Sequence, residues 1–189
     1  MNLGAFFAIS GIIWPLSEII LAAVTRVKGR SATLRDRGSQ ALLWISITAG
    51  IAAGIILRPF PATLIPISIL YLQAAGLVLL VGGLTLRWAA IITLGRFFTA
   101  AVAIHQNHFV VKTGLYRRIR HPSYSGLLLA FFGLALSFGN WLSLGVIMIP
   151  ITGALIYRIR VEEAALVKAL GQEYAEYCRS TRRLIPGLF

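Results

Sequence analysis

Cysteine and acidic residues are scarce in this chain of 189 residues. Cys178 is the single cysteine, which excludes an internal disulfide framework and a cysteine-rich zinc site. Asp and Glu number only 6 against 18 Lys and Arg, and charged residues make up 13% of the chain, where a soluble domain carries about 25%. The composition is therefore not that of an ordinary soluble domain.

Motifs of nucleotide-binding and metal-dependent enzymes are also absent from the sequence. Neither G-x-G-x-x-G nor a P-loop string occurs. The three histidines, His105, His108 and His121, lack the i, i+4 pair with an intervening Glu that is typical of metalloproteases. We therefore expect neither a soluble nucleotide-binding fold nor a bound metal.

Apolar residues dominate what is present. They make up 58% of the chain, and the mean hydropathy is +0.81. A globule of this size cannot hide so much apolar surface, so its solvent must be partly lipid. Apolar runs predict five membrane spans at about 3–24, 41–57, 66–86, 122–138 and 141–157. Residues 158–179 then place Leu166, Leu170, Tyr174 and Tyr177 among charges at helical spacing, which predicts a C-terminal amphipathic helix.

The basic residues predict how this all-α, five-span bundle is oriented. Five of them lie within residues 25–37, a cluster that should stay in the cytoplasm. With that cluster inside, 17 of the 18 Lys and Arg fall on the cytoplasmic face, and only Arg58 lies outside. The net charge of +12 thus indicates membrane topology and contact with membrane lipids, without nucleic acid as a partner. A cleavable signal peptide at 3–24 is the alternative, but Met1 and Asn2 supply no basic start.

Two polar clusters interrupt the apolar pattern. The string HFVVKTGLYRRIRHPSYS at 108–125 places bases, tyrosines and His121 before a helix start at Pro122. A helix N-terminus binds carboxylates and phosphates, although a basic anchor for anionic lipid headgroups is an equal alternative. The second string, YRIRVEEAAL, starts the predicted last helix and places Arg158 and Glu162 one turn apart. This pair is either a surface ion pair, stabilising by a few tenths of a kcal/mol, or part of a functional cavity.

At these residues the chain resembles a known family. The strings GLYRRIRHPSYSG and RIRVEEAALVKALGQEYAEYCRSTRRLIP are similar to the C-terminal half of the isoprenylcysteine carboxyl methyltransferases, integral-membrane enzymes that methylate the carboxylate of a prenylated cysteine. The string R-H-P-S-Y alone also resembles phospholipid N-methyltransferases and sterol reductases, but R-x-x-x-E-E, G-x-E-Y-x-x-Y and Ile-Pro downstream narrow the choice. The resemblance covers about 94–189 and implies one domain, 1–189, in which 1–93 are divergent spans and 94–189 form the cofactor-binding half.

The resemblance also implies a cofactor and its site. The cofactor is S-adenosylmethionine, and Arg158 matches the arginine that faces the substrate. The acceptor that the resemblance implies is a prenylated or other lipidic molecule. The distribution of basic residues predicts that the site faces the cytoplasm, and if the cell is prokaryotic the membrane is the inner or plasma membrane. The cofactor contacts fall on His108, Phe109, Val110, Val111, Tyr116, His121, Pro122, Ser123, Tyr124 and Glu162.

The residue types suit this chemistry independently of the resemblance. A carboxylate acceptor is already ionised at pH 7, so methyl transfer needs alignment and exclusion of water rather than a general base. The guanidinium of Arg158 is suited to grip such a carboxylate. If the acceptor were a thiol or a lipid amine, a base would be needed, and His121 would be the candidate. A non-catalytic lipid-binding membrane protein is the third hypothesis.

Other conspicuous residues are expected to serve structure. Tyr174 and Tyr177 are expected to pack in the core rather than to act in catalysis. His105 is expected at the membrane interface. Glu18, a charge within the first predicted span, is expected to pair with a neighbouring helix or to reach the interface.

Overall fold

The computed structural model describes residues 16–17, 20, 38–95 and 110–185. The predicted first span at 3–24 therefore lies almost wholly outside the described residues, as does the basic cluster at 25–37. The same is true of Glu18, His105 and the proposed cofactor contacts His108 and Phe109.

The described residues form helices joined by short turns. The α-helices are α1 (Gly38–Leu57), α2 (Ile69–Leu94), α3 (Pro122–Leu136), α4 (Trp141–Leu170) and α5 (Gln172–Ser180). Two short 3₁₀ helices lie at Pro61–Thr63 and Gly114–Arg117. Over these parts of the chain, extended pairing is limited to two isolated bridges, which confirms the all-α class.

Three helices are long and apolar enough to cross a membrane. They are α1 with 20 residues, α2 with 26 and α4 with 30. Each carries large apolar side chains that are exposed in the isolated chain, such as Ile56, Val78 and Ile149. This apolar outer surface is what a lipid environment would cover, so the chain is an integral membrane protein. The fourth predicted span corresponds to α3, which is apolar but has 15 residues.

The sequence predicted that the fifth span ends at 157 and that a separate helix begins at 158, and this prediction is wrong. Helix α4 continues through this point and ends only at Gly171, whose φ of 57° lets its N–H bond the carbonyl of Val167. Residues 158–163 therefore lie inside a helix rather than at a helix start. The predicted amphipathic helix at 158–179 is instead the last three turns of α4 followed by the separate helix α5.

Helix packing brings distant segments of the sequence together. Contacts run from α1 to α4, from α4 to α3 and from α3 to α2. The core between α1, α3 and α4 is apolar and includes Ile47, Phe131, Ile147, Ile151 and Leu155. Helices α2 and α3 meet so closely that a Cβ at Gly83 would lie 2.5 Å from the carbonyl oxygen of Gly126, so glycine is required there.

Asn140 organises one end of the bundle. It caps α4 by accepting hydrogen bonds from the backbone N–H groups of Leu142 and Ser143 at 2.9 and 3.1 Å. Its amide also donates to the carbonyls of Arg58 and Phe60, at 3.3 and 3.1 Å. The turn predicted at Gly139 and Asn140 is confirmed, and it lies beside Arg58.

The C-terminal segment lies at the opposite end of the bundle from Asn140. Residues 181–185 run beside the strand-like residues that precede α3, and the backbone N–H of Arg120 donates to the carbonyl of Arg182 at 2.7 Å. The N–H of His121 donates to the carbonyl of Arg183 at 3.0 Å. Tyr174 and Tyr177 of α5 are buried, as expected for packing residues. The backbone position of His121 is thus held by the C-terminal segment.

Candidate functional site

Tyr124 joins the two charged residues that the sequence analysis selected on α4. Its hydroxyl donates to Glu162 Oε2 at 2.7 Å and accepts from Arg158 Nε at 2.9 Å. The Arg158 guanidinium also lies 6.0 Å from the centroid of the Tyr124 ring. Because Tyr124 lies in the first turn of α3, this chain of hydrogen bonds connects α3 to α4 at the end of the bundle opposite Asn140.

Burial distinguishes Arg158 from Glu162. Arg158 is only 3% exposed, so the reading of this pair as a surface ion pair is wrong for the arginine. The side chain of Glu162 is 28% exposed and can therefore be reached from outside the protein. A charged side chain as buried as Arg158 is costly unless it is well partnered, and such residues in membrane helices mark functional sites.

Arg158 is also held from the N-terminal part of the chain. Its Nη1 donates to Ser39 Oγ at 3.1 Å, and Ser39 is 1% exposed at the start of α1. Two hydroxyl groups, from Tyr124 on α3 and from Ser39 on α1, thus contact one guanidinium. Ser39 was not among the predicted site residues, because 119 residues separate it from Arg158.

His121 lies against the same cluster. Its ring stacks on Tyr124 with a centroid distance of 5.5 Å and an interplanar angle of 16°. Its Nδ1 is 4.0 Å from Glu162 Oε2, and its Nε2 is 3.4 Å from Glu163 Oε1. The second contact is close but lacks hydrogen-bond geometry, so this buried Nε2 has no hydrogen-bond partner in the described part of the chain. Nε2 therefore faces the Glu163 carboxylate, whereas Nδ1 faces Glu162.

Glu163 holds the cluster to the C-terminal segment. It accepts from Arg120 Nε at 2.8 Å and from Arg183 Nε at 2.9 Å. Arg120 in turn donates to the backbone carbonyl of Cys178 at 2.8 Å. Glu163 belongs to the R-x-x-x-E-E string, but no role was predicted for it. Glu163 is thus a structural hub, by which we mean that it joins α4 to Arg120 and to Arg183 next to the His121 ring.

The remaining predicted contacts surround this centre. Pro122 and Ser123 are buried in the first turn of α3, and Ser123 Oγ accepts from Arg87 Nη1 at 3.1 Å. Arg87, on α2, is a further buried arginine that the sequence analysis did not select. Val110 and Val111 are partly exposed in the segment that leads to Tyr116.

Tyr116 is fixed by its backbone rather than by its ring. The Tyr177 hydroxyl donates to the Tyr116 carbonyl at 2.6 Å, and burial raises the pKa of Tyr177 to about 12, so this donor stays protonated at neutral pH. Burial, and secondarily the charge of Glu162, raises the pKa of Tyr116 above its ordinary value. Because Tyr177 directly precedes Cys178, whose carbonyl accepts from Arg120, Tyr116 lies at the same end of the bundle as the charged cluster.

The geometry brings four of the eleven predicted site residues into contact. His121, Tyr124, Arg158 and Glu162 are in one connected cluster, while Val110 and Val111 lie on the approach to Tyr116. Within residues 38–95 and 110–185, no group of three or more His, Cys, Asp and Glu side chains is arranged to hold a metal ion. The cluster offers a partly exposed carboxylate, a buried guanidinium and an aromatic stack.

Comparison with protein families identifies a model that covers this cluster. The model described as the isoprenylcysteine carboxyl methyltransferase (ICMT) family matches residues 75–168, which include most of α2, all of α3, most of α4 and every described residue that was predicted to lie in the site. Ser39 and Arg183 lie outside the matched segment.

Curated relatives carry related names. The probable protein-S-isoprenylcysteine O-methyltransferase of Oryza sativa subsp. indica is 33% identical over 118 residues, or 61% of this chain and 62% of the rice protein. The protein-S-isoprenylcysteine O-methyltransferase A of Arabidopsis thaliana is 35% identical over 113 residues, or 59% of this chain and 57% of that protein. The aligned part of the chain therefore spans less than two thirds of the length of these relatives.

A solved structure extends the similarity to 98% of the chain. The structure of the eukaryotic intramembrane Ras methyltransferase ICMT, an isoprenylcysteine carboxyl methyltransferase, matches with a TM-score of 0.67 and 25% sequence identity. The match covers 98% of this chain and 66% of the other. The similarity thus includes α1, which the family model does not reach.

Proposed function

Because the chain belongs to the isoprenylcysteine carboxyl methyltransferase family, we propose that it transfers a methyl group from S-adenosylmethionine to the carboxylate of a prenylcysteine-like or other lipidic acceptor. The observation that carries the proposal is the chain of contacts from Arg158 through the Tyr124 hydroxyl to Glu162. It sets a group suited to an anionic acceptor beside a group suited to a cationic cofactor, inside the segment that the family model matches.

Arg158 is the residue that binds the acceptor in this proposal. A carboxylate with a pKa near 4 is ionised at neutral pH and is itself the nucleophile, so no proton has to be removed. The reaction then depends on holding the carboxylate in line with the methyl group. A guanidinium binds a carboxylate through two parallel hydrogen bonds without changing its own protonation state, and the burial of Arg158 strengthens that interaction.

The residues present fit the proposed cofactor. When bound, S-adenosylmethionine supplies an electrophilic methyl group on a sulfonium. Glu162 provides a partly exposed carboxylate for a cationic ligand, and the Nδ1 of His121 lies 4.0 Å from that carboxylate. Tyr116 and Tyr124 provide aromatic walls.

The other proposed cofactor contacts fall into two groups. Pro122 and Ser123 form the helix start beside His121, and Val110 and Val111 supply apolar surface on the approach. His108 and Phe109 complete the proposed set from outside the described residues.

The proposed topology places this site at the cytoplasmic face. Arg58 lies beside Asn140 at one end of the bundle, whereas Arg120, Arg158 and Arg183 gather at the other. An excess of basic residues favours the cytoplasmic side of a membrane. We therefore propose a single domain with five spans, in which 3–24 and α3 join the three long helices and α5 lies in the cytoplasm. In a prokaryotic cell this membrane would be the inner or plasma membrane.

A second reaction is favoured by one observation. The Nδ1 of His121 lies 4.0 Å from Glu162 Oε2, beside the carboxylate proposed to face the cofactor. If the acceptor were a thiol or a lipid amine, this nitrogen could take up the proton that the acceptor loses. S- or N-methylation of another amphiphile is therefore the alternative activity for the same site.

A methyl-transfer screen distinguishes these activities. The protein purified in detergent would be supplied with methyl-labelled S-adenosylmethionine and, in parallel, with a prenylcysteine, a lipid thiol and a lipid amine. We expect label on the prenylcysteine, released by mild base as methanol, since a carboxyl ester is base-labile whereas thioethers and methylamines are not. Label on the thiol or amine alone would favour the alternative activity. Cofactor binding without any transfer would exclude all three acceptors, and no binding would leave lipid contact as the function.

A further inference from the structure

Ser39 touches the proposed acceptor residue from a part of the chain that the family model does not match. It is the second residue of α1, is 1% exposed, and accepts a hydrogen bond from Arg158 Nη1 at 3.1 Å. The residues that follow on the buried face of α1, Leu43 and Ile47, are apolar and belong to the core. The buried face of α1 thus changes from apolar to polar where it reaches the guanidinium.

Contacts from two different helices restrict where the guanidinium points. Arginine has a long side chain with about 2 kcal/mol of rotamer entropy, so one contact leaves it several orientations. Tyr124 contacts Nε from α3, and Ser39 contacts Nη1 from α1. Since the group is planar, contacts at two of its nitrogens define both its position and its plane. Paired hydrogen bonds to a carboxylate require that plane to be set before the acceptor arrives.

We propose that Ser39 is a positioning residue for the acceptor carboxylate and acts through Arg158. The inference rests on the proposed function, because it takes Arg158 as the group that binds the carboxylate. It extends the acceptor site to α1, so the N-terminal half of the chain contributes to recognition of the acceptor and does not only anchor the protein in the membrane. Cofactor binding should not depend on Ser39, because Ser39 contacts Arg158 whereas the proposed cofactor residue Glu162 contacts Tyr124.

The test compares binding of a prenylcysteine with binding of its methyl ester. Only the acid has the charge that Arg158 would grip, so the ratio of the two affinities isolates the carboxylate contact from the apolar contacts of the prenyl group. The ratio would be measured by titration calorimetry in detergent for the wild-type protein, Ser39→Ala and Ser39→Thr. Ser46→Ala is the matched control, since it removes a hydroxyl from the same helix two turns further on.

We expect Ser39→Ala to lower the acid-to-ester ratio about tenfold, as loss of one hydrogen bond to a charged group would. Ser39→Thr keeps the hydroxyl and should restore most of the ratio, while Ser46→Ala should keep it. Affinity for the demethylated cofactor product should be unchanged in all of them.

Two results would overturn the inference, and they are distinguishable. A wild-type preference for the acid that survives in folded Ser39→Ala would remove Ser39 from the acceptor site and leave the proposed function intact. No preference for the acid in the wild-type protein would contradict the role of Arg158 itself, and with it both proposals. A melting curve in detergent confirms that each variant is folded.

Discussion

Replacing Tyr124 with phenylalanine tests the connection between the two charged residues of the site. The substitution keeps the ring that stacks on His121 and removes only the hydroxyl, which accepts from Arg158 and donates to Glu162. A hydrogen bond to a charged group contributes about 1.5–3 kcal/mol. The contact with Glu162 should contribute less than this, because the side chain is 28% exposed and water can replace the lost donor.

The contact with Arg158 is the one that matters, since a guanidinium that is 3% exposed has little access to water. Loss of about 1.5–3 kcal/mol in the orientation of Arg158 corresponds to a fall of roughly tenfold to a hundredfold in kcat/KM. Affinity for the cofactor product should fall by less than about threefold, because Glu162 keeps its carboxylate.

Methyl transfer from labelled cofactor to a prenylcysteine, measured on the purified variant, gives kcat/KM. Tyr157→Phe is the matched control, because Tyr157 precedes Arg158 on α4 but is 51% exposed. Wild-type kcat/KM in a folded Tyr124→Phe protein would refute the reasoning, since the Tyr124 hydroxyl could then have no part in aligning Arg158.

Three further predictions concern the surroundings of this centre. His121→Ala and Glu162→Ala should each weaken binding of the demethylated cofactor product about tenfold or more by calorimetry, and unchanged affinity in both folded variants would place the cofactor elsewhere. Glu163→Gln should destabilise the fold by about 3 kcal/mol, because it leaves buried Arg120 without its counter-charge. The matched control Glu176→Gln, on the exposed face of α5, should change the melting temperature little, and equal melting of the two variants would contradict the hub role. A reporter fused after the last residue should behave as cytoplasmic in living cells, and an external signal would reverse the proposed topology.

The sequence predicted the helices more reliably than their ends. Apolar runs identified α1 to α4, and Pro122 marked the first residue of α3, because proline is favoured at that position. The break predicted at Arg158 was wrong for a physical reason. The charged residues from Arg158 onward end the apolar pattern in the sequence. In the structure, the hydroxyl groups of Tyr124 and Ser39 accept hydrogen bonds from Arg158, so the charge is accommodated within α4 and the helix continues to Gly171.

The partners in the site could be predicted only in part. Residues within one motif, such as His121 and Tyr124, or Arg158 and Glu162, are close in sequence and were found together. Ser39 was missed because its contact spans 119 residues, and no local pattern marks a serine at a helix start as a site residue.

The roles of Glu163, Arg120 and Arg183 were missed for the same reason. Glu163 pairs with Arg120 across 43 residues and with Arg183 across 20. Its place in the R-x-x-x-E-E string was the only local signal. Only the packing of α3, α4 and the C-terminal segment reveals which charges pair.

The central claim is that Arg158 aligns the acceptor carboxylate while Glu162, one turn further along α4, faces the cofactor. It is tested most directly by measuring cofactor affinity and single-turnover methyl transfer on one purified Arg158→Lys protein. An ammonium is a point charge and cannot form the planar pair of hydrogen bonds, so we expect near-normal affinity and at least a tenfold loss of single-turnover rate, or about 1.4 kcal/mol. Near-normal methyl transfer would contradict the claim, and lost cofactor affinity would move Arg158 to the cofactor site.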